Sequence, residues 1–208
     1  MIFAVNKPWG MSSYDVIRYF KKKYPGQKIG HGGALDPYAE GVLILGIGRD
    51  GTKALNVVLK GSDKVYIAEI ELGYLSLTDD AEGPIKKYSD IIPSLQDVLC
   101  NLASFIGEFM QVPPEFSNIK IKGTSSHRRK RRGEIVRLEP RKATIHNISL
   151  LNYDYPLITI EVTTASGVYI RALARDIGEK LKTGAFLRNL KRTRVGDFTL
   201  QAALRIDQ

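Results

Sequence analysis

Apolar and polar residues alternate in some parts of the chain and recur every three or four positions in others. The alternation from Val65 to Leu72 predicts a half-buried strand, with Tyr66 on its apolar face and two glutamates on the other. Shorter runs predict further strands over 145–151 and 158–164. The sequence therefore contains several strands, at least one of which has a buried face and a polar face.

Three other segments have the apolar spacing of amphipathic helices. A Ser-x-x-Asp capping pattern begins one helix at residues 12–15, and the same pattern at 94–97 begins a second, whose spacing continues to Gly107. A third helix is predicted over 170–181. Because strands and helices follow one another without a regular βαβ order, we expect an α+β fold with a central mixed, mostly antiparallel sheet flanked by helices.

A glycine-rich segment after the apolar run at 42–45 matches the fingerprint of dinucleotide-binding folds. It reads Gly46-Ile-Gly-Arg-Asp-Gly51, and glutamates stand about 20 positions further on, where such folds bind ribose. The helix that would follow is short, at 52–59, and the next strand is amphipathic rather than buried on both faces. We therefore interpret the segment as a glycine-rich turn after a core strand.

Composition limits the cofactor and the compartment. The chain has 208 residues, one cysteine (Cys100) and three scattered histidines, so we expect neither an internal disulfide nor a metal centre. No apolar run reaches the ~20 residues that span a bilayer, and the N-terminus does not resemble a signal peptide. These features predict a soluble, cytoplasmic protein with no metal ion and no membrane partner.

Charge is segregated along the chain, whose formal net charge is +9. Segments 120–142 and 168–196 are strongly basic, whereas segment 62–115 is acidic. Two separate basic segments favour a nucleic acid as the partner, because contact with phosphates releases bound counterions. The cluster at 128–132, taken alone, would also suit a solvated loop.

Residues 30–41 combine three glycines with an aspartate next to proline. Glycines let a backbone approach a ligand closely, and Pro37 restricts both itself and Asp36. An aspartate held in this way is a candidate nucleophile or base. The same residues would also suit an ordinary turn in which Asp36 caps the backbone.

Six sequence blocks together resemble the TruB family of tRNA pseudouridine synthases over essentially the whole chain. In chain order they are KPWGMSS from Lys7, GHGGALDPYAEGVL from Gly30, DKVY from Asp63, QVPPEFSNIK from Gln111, GVYIRALARDIGEKL from Gly167 and LRNLKRTRVGDF from Leu187. The resemblance implies a pseudouridine-synthase-type fold. It also implies an enzyme that isomerises a uridine in the T-loop of tRNA without a cofactor or metal.

The same resemblance assigns roles to individual residues. Asp36 matches the catalytic aspartate, which acts on the bond between ribose and base. Tyr66 matches the tyrosine that stacks on the flipped base, and Arg171 matches the arginine that pairs with the catalytic carboxylate. His31 matches a histidine that packs into the T-loop and helps extrude the base. Pattern alone would instead make Tyr66 a core residue, Arg171 a surface arginine and His31 a loop donor.

Substrate binding is assigned in the same way. The positions that match the lining of the substrate pocket are Lys7, Tyr169 and Leu190, and the basic residues expected to contact RNA are Arg128, Arg129, Lys130, Arg131 and Arg132. We expect one catalytic domain over 1–208, with a basic RNA-contacting segment at about 120–142 and without the C-terminal PUA-type domain that many relatives carry. The expected partner of this monomer is the T-arm of tRNA.

The chain departs from the family pattern at a few positions. Gly32 and Val168 stand where threonine is usual, and Ser76-Leu-Thr78 replaces Thr-Asp-Thr. After Gly123, a run of basic residues replaces an aromatic and aliphatic helix start. These departures leave two alternatives open: an RNA chaperone that folds tRNA without catalysis, and a synthase that acts on RNA other than tRNA.

Overall fold

A computed structural model describes residues 1–206, and the final two positions of the predicted domain, 207–208, lie outside the described residues. The strands are β1 (Ile2–Lys7), β2 (Ile29–Gly32), β3 (Ala39–Ile47), β4 (Lys64–Leu72), β5 (Tyr74–Ser76), β6 (Ile85–Lys87), β7 (Gly107–Gln111), β8 (Lys120–Ile121), β9 (Thr124–Ser125), β10 (Arg141–Asp154), β11 (Leu157–Thr164), β12 (Ala185–Val195), β13 (Phe198–Thr199) and β14 (Leu204–Arg205). The helices are α1 (Ser13–Lys23), α2 (Gly48–Leu59), α3 (Leu95–Ala103), α4 (Ser126–Arg131) and α5 (Ile170–Lys180). None of the helices within 1–206 is long and apolar enough to cross a membrane.

The central sheet is mixed and the fold is α+β, as predicted. Its order is β14-β1-β3-β12-β4-β11-β10-β7, with β13 paired to β12 and β2 paired to β3. Two compact units are defined by contacts along the chain: unit 1 is Met1–Ile67, Glu161–Ser166 and the residues from Asn189 onwards, and unit 2 is Ala68–Ile160 and Gly167–Arg188. Strands β4, β11 and β12 contain residues of both units.

Unit 1 is built around β3, which is buried along almost its whole length. β3 pairs antiparallel with β1 and β2, and parallel with β12. Helix α1 packs Val16, Ile17 and Phe20 into one apolar cluster with β1 and β3, and Leu55 of α2 belongs to a second cluster. The predicted capping box at the start of α1 is present: Ser12 accepts from the Asp15 amide and Asp15 accepts from the Ser12 amide. The local capping signal and the packing of the core thus both favour a helix at this position.

Unit 2 contains α3, α5 and two small hairpins, β5–β6 and β8–β9. Helix α3 begins with the predicted Ser94–Asp97 capping box. It ends at Ala103 rather than near Gly107, because residues 107–111 form β7 and pair with β10. Helix α5 follows the prediction closely and buries Ile170, Leu173, Ala174 and Ile177.

The glycines of the dinucleotide-like segment serve helix packing. Helix α2 begins at Gly48, directly after β3 and four positions earlier than predicted, so no separate turn follows the strand. A Cβ at Gly46 would lie 2.5 Å from the carbonyl oxygen of Gly51, and a Cβ at Gly51 would lie 2.4 Å from the carbonyl oxygen of Met1. Gly46 therefore lets α2 lie directly against β3, and Gly51 lets α2 lie against the backbone that precedes β1. The interpretation as a glycine-rich turn is wrong in this respect, although the segment does follow a core strand.

Gly41 of β3 offers a test of this packing. Its φ is +106°, and an added Cβ would lie 2.2 Å from the carbonyl oxygen of Arg192 in β12. Gly61 is a matched control, because its φ is +74° and no atom lies within 4 Å of the added Cβ. We expect Gly61→Ala to cost about 1–2 kcal/mol of unfolding free energy through backbone strain alone. Gly41→Ala should cost at least ~1–3 kcal/mol more, because a clash is added. Equal losses in urea unfolding would contradict the close approach of β3 and β12.

Candidate active site

Asp36 lies on the loop between β2 and β3 in unit 1, and the residue before it is held by the hydroxyl group of Ser13. The Ser13 hydroxyl, at the start of α1, accepts a hydrogen bond from the Leu35 amide and donates one to the Leu35 carbonyl, both at 2.8 Å. Ser13 and Leu35 are both buried. The backbone directly before Asp36 is therefore held by the body of unit 1.

A buried lysine fixes the other side of Asp36. Lys7 is fully buried, and its Nζ donates to the carbonyl oxygens of Pro8, Met11 and Pro37 at 3.0, 2.5 and 3.3 Å. The Gly10 amide also donates to the Pro37 carbonyl. Burial lowers the pKa of Lys7 to about 8, against the opposing influence of the Asp36 carboxylate. Lys7 therefore remains mostly charged at neutral pH.

Arg192 was missed by the sequence reasoning as a site residue, although it lies within one of the six blocks. It is 2% exposed, its Nε donates to the Val42 carbonyl at 2.7 Å and its Nη2 donates to the Gly33 carbonyl at 2.6 Å. It thereby ties the glycine-rich segment before Asp36 to β3. Its position inside a block was the only indication that the sequence offered.

His31 stands at the same end of unit 1, on β2 opposite Leu45. Its Nδ1 is buried and has no hydrogen-bond partner among residues 1–206. Burial lowers the pKa of His31, and the nearby Arg192 lowers it further. The imidazole is therefore neutral at physiological pH. At Gly32, the space for a side chain is filled by Leu59, whose Cδ1 would lie 1.8 Å from an added Cβ, so the absence of threonine there leaves no void.

Tyr66 and Leu190 also belong to unit 1. Tyr66 is 6% exposed on β4, which agrees with a core position as well as with a pocket wall. Leu190 on β12 is in parallel register with Ala39 on β3, three positions after Asp36. The structure therefore places Leu190 beside the end of the Asp36 loop, while the roles of Tyr66 and Leu190 stay predictions.

Arg171 is buried in unit 2 rather than exposed on the surface of α5. Its Nη1 lies 3.2 Å from Asp80 Oδ2, and its Nη2 donates to the Phe116 carbonyl at 3.1 Å. Asp80 is 1% exposed, and its other oxygen accepts from the Thr78 hydroxyl at 2.5 Å. The interpretation of Arg171 as a surface arginine is wrong. Its predicted pairing with Asp36 stays a prediction.

Tyr169 precedes α5 and is fixed through its backbone. Gln111 is buried, its Oε1 accepts from the Tyr169 amide at 2.9 Å and its Nε2 donates to the Tyr169 carbonyl at 3.1 Å. Gln111 is a second residue that the sequence reasoning did not single out, although it begins the QVPPEFSNIK block. The two side-chain contacts fix the backbone from which Tyr169 extends.

The basic cluster at 128–132 is part of helix α4 and the turn after it, so the interpretation as a solvated loop is wrong. Arg129 pairs with Glu134 at 2.8 Å and Lys130 pairs with Glu115 at 2.5 Å. Arg128, Arg131 and Arg132 are exposed. The cluster therefore divides into two residues with partners in unit 2 and three whose exposed side chains suit phosphate contact.

Within residues 1–206, no group of three or more His, Cys, Asp or Glu side chains is placed to hold a metal ion. The chemistry-bearing groups on the two units are instead carboxylates, guanidinium groups and tyrosines. This set suits chemistry in which a positioned carboxylate acts on an electron-poor carbon.

Comparison with protein-family models gives the class of protein. Residues 21–170 match the model for the TruB family pseudouridylate synthase N-terminal domain. Residues 171–208 match the model for the tRNA pseudouridylate synthase B C-terminal domain. The chain therefore belongs to the TruB family of pseudouridylate synthases, and the predictions of family and enzyme class are confirmed.

Individual relatives agree with this assignment. The tRNA pseudouridine synthase B of Protochlamydia amoebophila is 41% identical over 98% of this chain and 77% of its own length. The protein of the same name from Clostridium kluyveri is 36% identical over 99% of this chain and 71% of its own length.

Solved structures share the fold. A Cbf5-Nop10-Gar1 complex contains a chain that is 26% identical with a TM-score of 0.76, and an H/ACA RNP bound to a substrate RNA containing 2'-deoxyuridine contains one that is 25% identical with a TM-score of 0.72. The matches cover 99% and 98% of this chain. The chain spans about half the length of these solved chains, 52% and 50% respectively.

Ser13 provides a test of how the Asp36 loop is held. Ser13→Ala removes both hydrogen bonds to Leu35, so we expect unfolding free energy to fall by about 1–3 kcal/mol because two buried backbone groups lose their partner. We also expect faster hydrogen exchange at the Leu35 amide. Ser104→Ala is the control, because its exposed hydroxyl donates to the nearby Asn101 carbonyl and accepts from the exposed Lys180 ammonium, so no buried backbone group loses a partner. Unchanged protection of Leu35 would contradict the proposed support.

Proposed function

We propose that this chain isomerises a uridine in the T-loop of tRNA to pseudouridine. The observation that carries the proposal is the family match across residues 21–208, together with an aspartate at the catalytic position on a loop fixed on both sides. The uridine base must leave ribose and return through a different atom: the C1′–N1 bond breaks, the C1′–C5 bond forms, and a proton is lost from C5 while N1 gains one. The product is an isomer, so no co-reactant is consumed.

Asp36 is the group that we assign to the ribose. A carboxylate can attack an electron-poor sugar carbon or stabilise the positive charge that develops there. In this proposal, the Arg171 guanidinium pairs with Asp36 in the complex with RNA, where it keeps the carboxylate ionised and oriented. The two-sided support of the loop, through Ser13 and Lys7, keeps the carboxylate in place while the base is detached.

Tyr66 and His31 serve the movement of the base. A uridine in a structured loop leaves its stack at a cost of a few kcal/mol, and an aromatic face offsets that cost. We assign the aromatic face to Tyr66, which also assists loss of the C5 proton. We assign to His31 the insertion into the T-loop that displaces the base. A neutral His31 suits this role, because insertion into stacked bases is cheaper for an uncharged ring. Lys7, Tyr169 and Leu190 complete the pocket.

The similarity to proteins named tRNA pseudouridine synthase B, at 36–41% identity, favours tRNA over other RNA. The matching chains in the two solved structures, one of which is an H/ACA RNP, are less similar, at 25–26% identity. We therefore treat two alternatives, a different RNA target and a chaperone without catalysis, as outcomes that the tests below can detect. We expect the protein to act as a monomer in the cytoplasm.

The first test replaces the carboxylate of Asp36. Asp36→Asn should abolish pseudouridine formation on an unmodified tRNA transcript, a loss of at least ~1,000-fold, because an amide cannot carry the negative charge that the reaction uses. RNA affinity should remain within about threefold, since the grip on RNA is assigned to phosphate contacts. Product is mapped by position along the RNA.

Three other outcomes of this experiment would change the proposal. Turnover by Asp36→Asn would show that the assigned carboxylate is wrong. No product from the wild-type chain on tRNA, but product on unrelated hairpins, would favour a different RNA target. RNA annealing without any product would favour a chaperone.

The second test concerns helix α4. Replacing Arg128, Arg131 and Arg132 with alanine should weaken tRNA binding and reduce the slope of log affinity against log salt by about 2–3, since each phosphate contact contributes about 0.7–0.9. A control that replaces exposed Lys21, Lys22 and Lys86 removes the same charge elsewhere. Equal slopes for the two variants would show that α4 makes no special contact with RNA.

A further inference from the structure

Arg175 makes a set of contacts within unit 2 that the family assignment leaves unused. Its Nη1 lies 3.0 Å from Asp79 Oδ2, and its Nη2 donates to the Val112 carbonyl at 2.7 Å. Its Nε and Nη2 also bond the carboxylate of Asp176, at 3.0 and 2.8 Å. One guanidinium group therefore joins α5 to the turn at 78–80 and to the segment that follows β7.

Arg175 repeats the contacts of Arg171 one helical turn later. Residues four apart on a helix lie on the same face. Arg171 bonds the carboxylate of Asp80 and the carbonyl of Phe116, whereas Arg175 bonds the carboxylate of the preceding Asp79 and a carbonyl four positions before Phe116. Both arginines thus connect α5 to the same two segments, which are the turn at 78–80 and the chain that follows β7.

Asp79 is held in a backbone conformation that needs support. Its φ is +62°, in the left-handed region, which a residue other than glycine adopts at a cost. Its amide donates to the Ser76 carbonyl and its own carbonyl accepts from the Leu187 amide. The Arg175 contact fixes the side chain of the same residue, so the turn that presents Asp80 depends on this pair.

Burial opposes the negative charge on Asp79. Burial raises the pKa of Asp79 to about 6, despite the lowering influence of Arg175 and Arg171, while Asp176 and Asp80 raise it further. Ionised Asp79 therefore costs the folded protein free energy at neutral pH. Arg175 offsets part of that cost, so the charged state of Asp79 depends in part on this partner.

We propose that Asp79 and Arg175 are positioning residues that hold the turn at 78–80 so that Asp80 orients the Arg171 guanidinium for the reaction. This inference rests on the proposed function, because it assigns Arg171 to the catalytic carboxylate. Loss of the pair lets the turn relax and lets Arg171 rotate, which slows the chemical step. Affinity for RNA is unaffected, because both side chains lie largely inside unit 2.

The experiment compares Asp79→Asn, Arg175→Gln and the double variant with the wild-type chain. Asparagine also tolerates the left-handed backbone, so the first substitution removes charge with little change of shape. We expect kcat for pseudouridine formation to fall at least about tenfold, with KM for tRNA within about twofold. The double variant should be no slower than the slower single variant, because the two residues act through one contact. Asp90→Asn is the control, because it breaks an exposed pair with Lys87 in the same unit.

Thermal unfolding separates positioning from a merely structural role. The folded chain retains the Asp79 proton up to about pH 6, whereas the unfolded chain loses it near pH 4, so the contribution of Asp79 to stability declines as pH rises through this window. The difference in Tm between Asp79→Asn and the wild type should therefore shift in favour of the variant between pH 5 and pH 7.5. A merely structural role would lower kcat only as far as the fraction of folded protein falls, whereas a positioning role lowers kcat where the variant is fully folded.

Several results would overturn the proposal: kcat equal to that of Asp90→Asn, single losses that multiply in the double variant, or a loss of kcat that follows the fraction of unfolded protein. Should Asp79→Asn fail to fold, Arg175→Met takes its place, because a methionine side chain has no N–H donor for either Asp79 or the Val112 carbonyl. The kcat of this Arg175 variant should fall at least about threefold, and a kcat equal to that of the wild-type chain would overturn the proposal. A wild-type chain that forms no pseudouridine would instead contradict the proposed function.

Discussion

The fixed loop that carries Asp36 is the constraint on which unit 1 depends. Ser13 holds the residue before Asp36, and Lys7 holds the residue after it. Arg192 ties the preceding glycine-rich segment to β3. Lys7 and Arg192 are almost completely buried, and burial of a cation is expensive unless it is well bonded. The start of α1 and the pairing of β1, β3 and β12 thus serve the same purpose, which is to hold one carboxylate.

The sequence predicted the elements whose signals are local. The capping boxes at Ser12 and Ser94, the alternation along β4 and the apolar face of α5 all correspond to the structure. The end of α3 and the basic helix α4 were missed for a physical reason. Strand pairing with β10 sets where β7 begins, and Lys130 of α4 pairs with Glu115, so both features depend on contacts between segments that are separated in the sequence.

The prediction of site residues was limited in the same way, because contacts between separated segments leave no pattern in the sequence. Tyr66 and Arg171 were chosen because they fall in ordered blocks, whereas Asp36 was already a candidate from the glycines and proline around it. Arg192 and Gln111 lie in blocks as well, yet their importance follows from bonds to backbone groups that no sequence pattern records. Asp80 belongs to the segment where the chain departs from the family pattern, and only the fold shows that it meets Arg171. Residues that bond backbone atoms across a fold are the hardest to predict from sequence.

The central claim is that a uridine base is detached and reattached through C5. Release of tritium tests this claim most directly, because isomerisation replaces the C5–H bond with a C–C bond. The account predicts that tRNA carrying tritium at C5 of its uridines releases one tritium per RNA molecule into water and then no more. It also predicts no release from RNA in which the T-loop uridine is replaced by cytidine. Absence of release from intact tRNA, or equal release from both RNAs, would contradict the account.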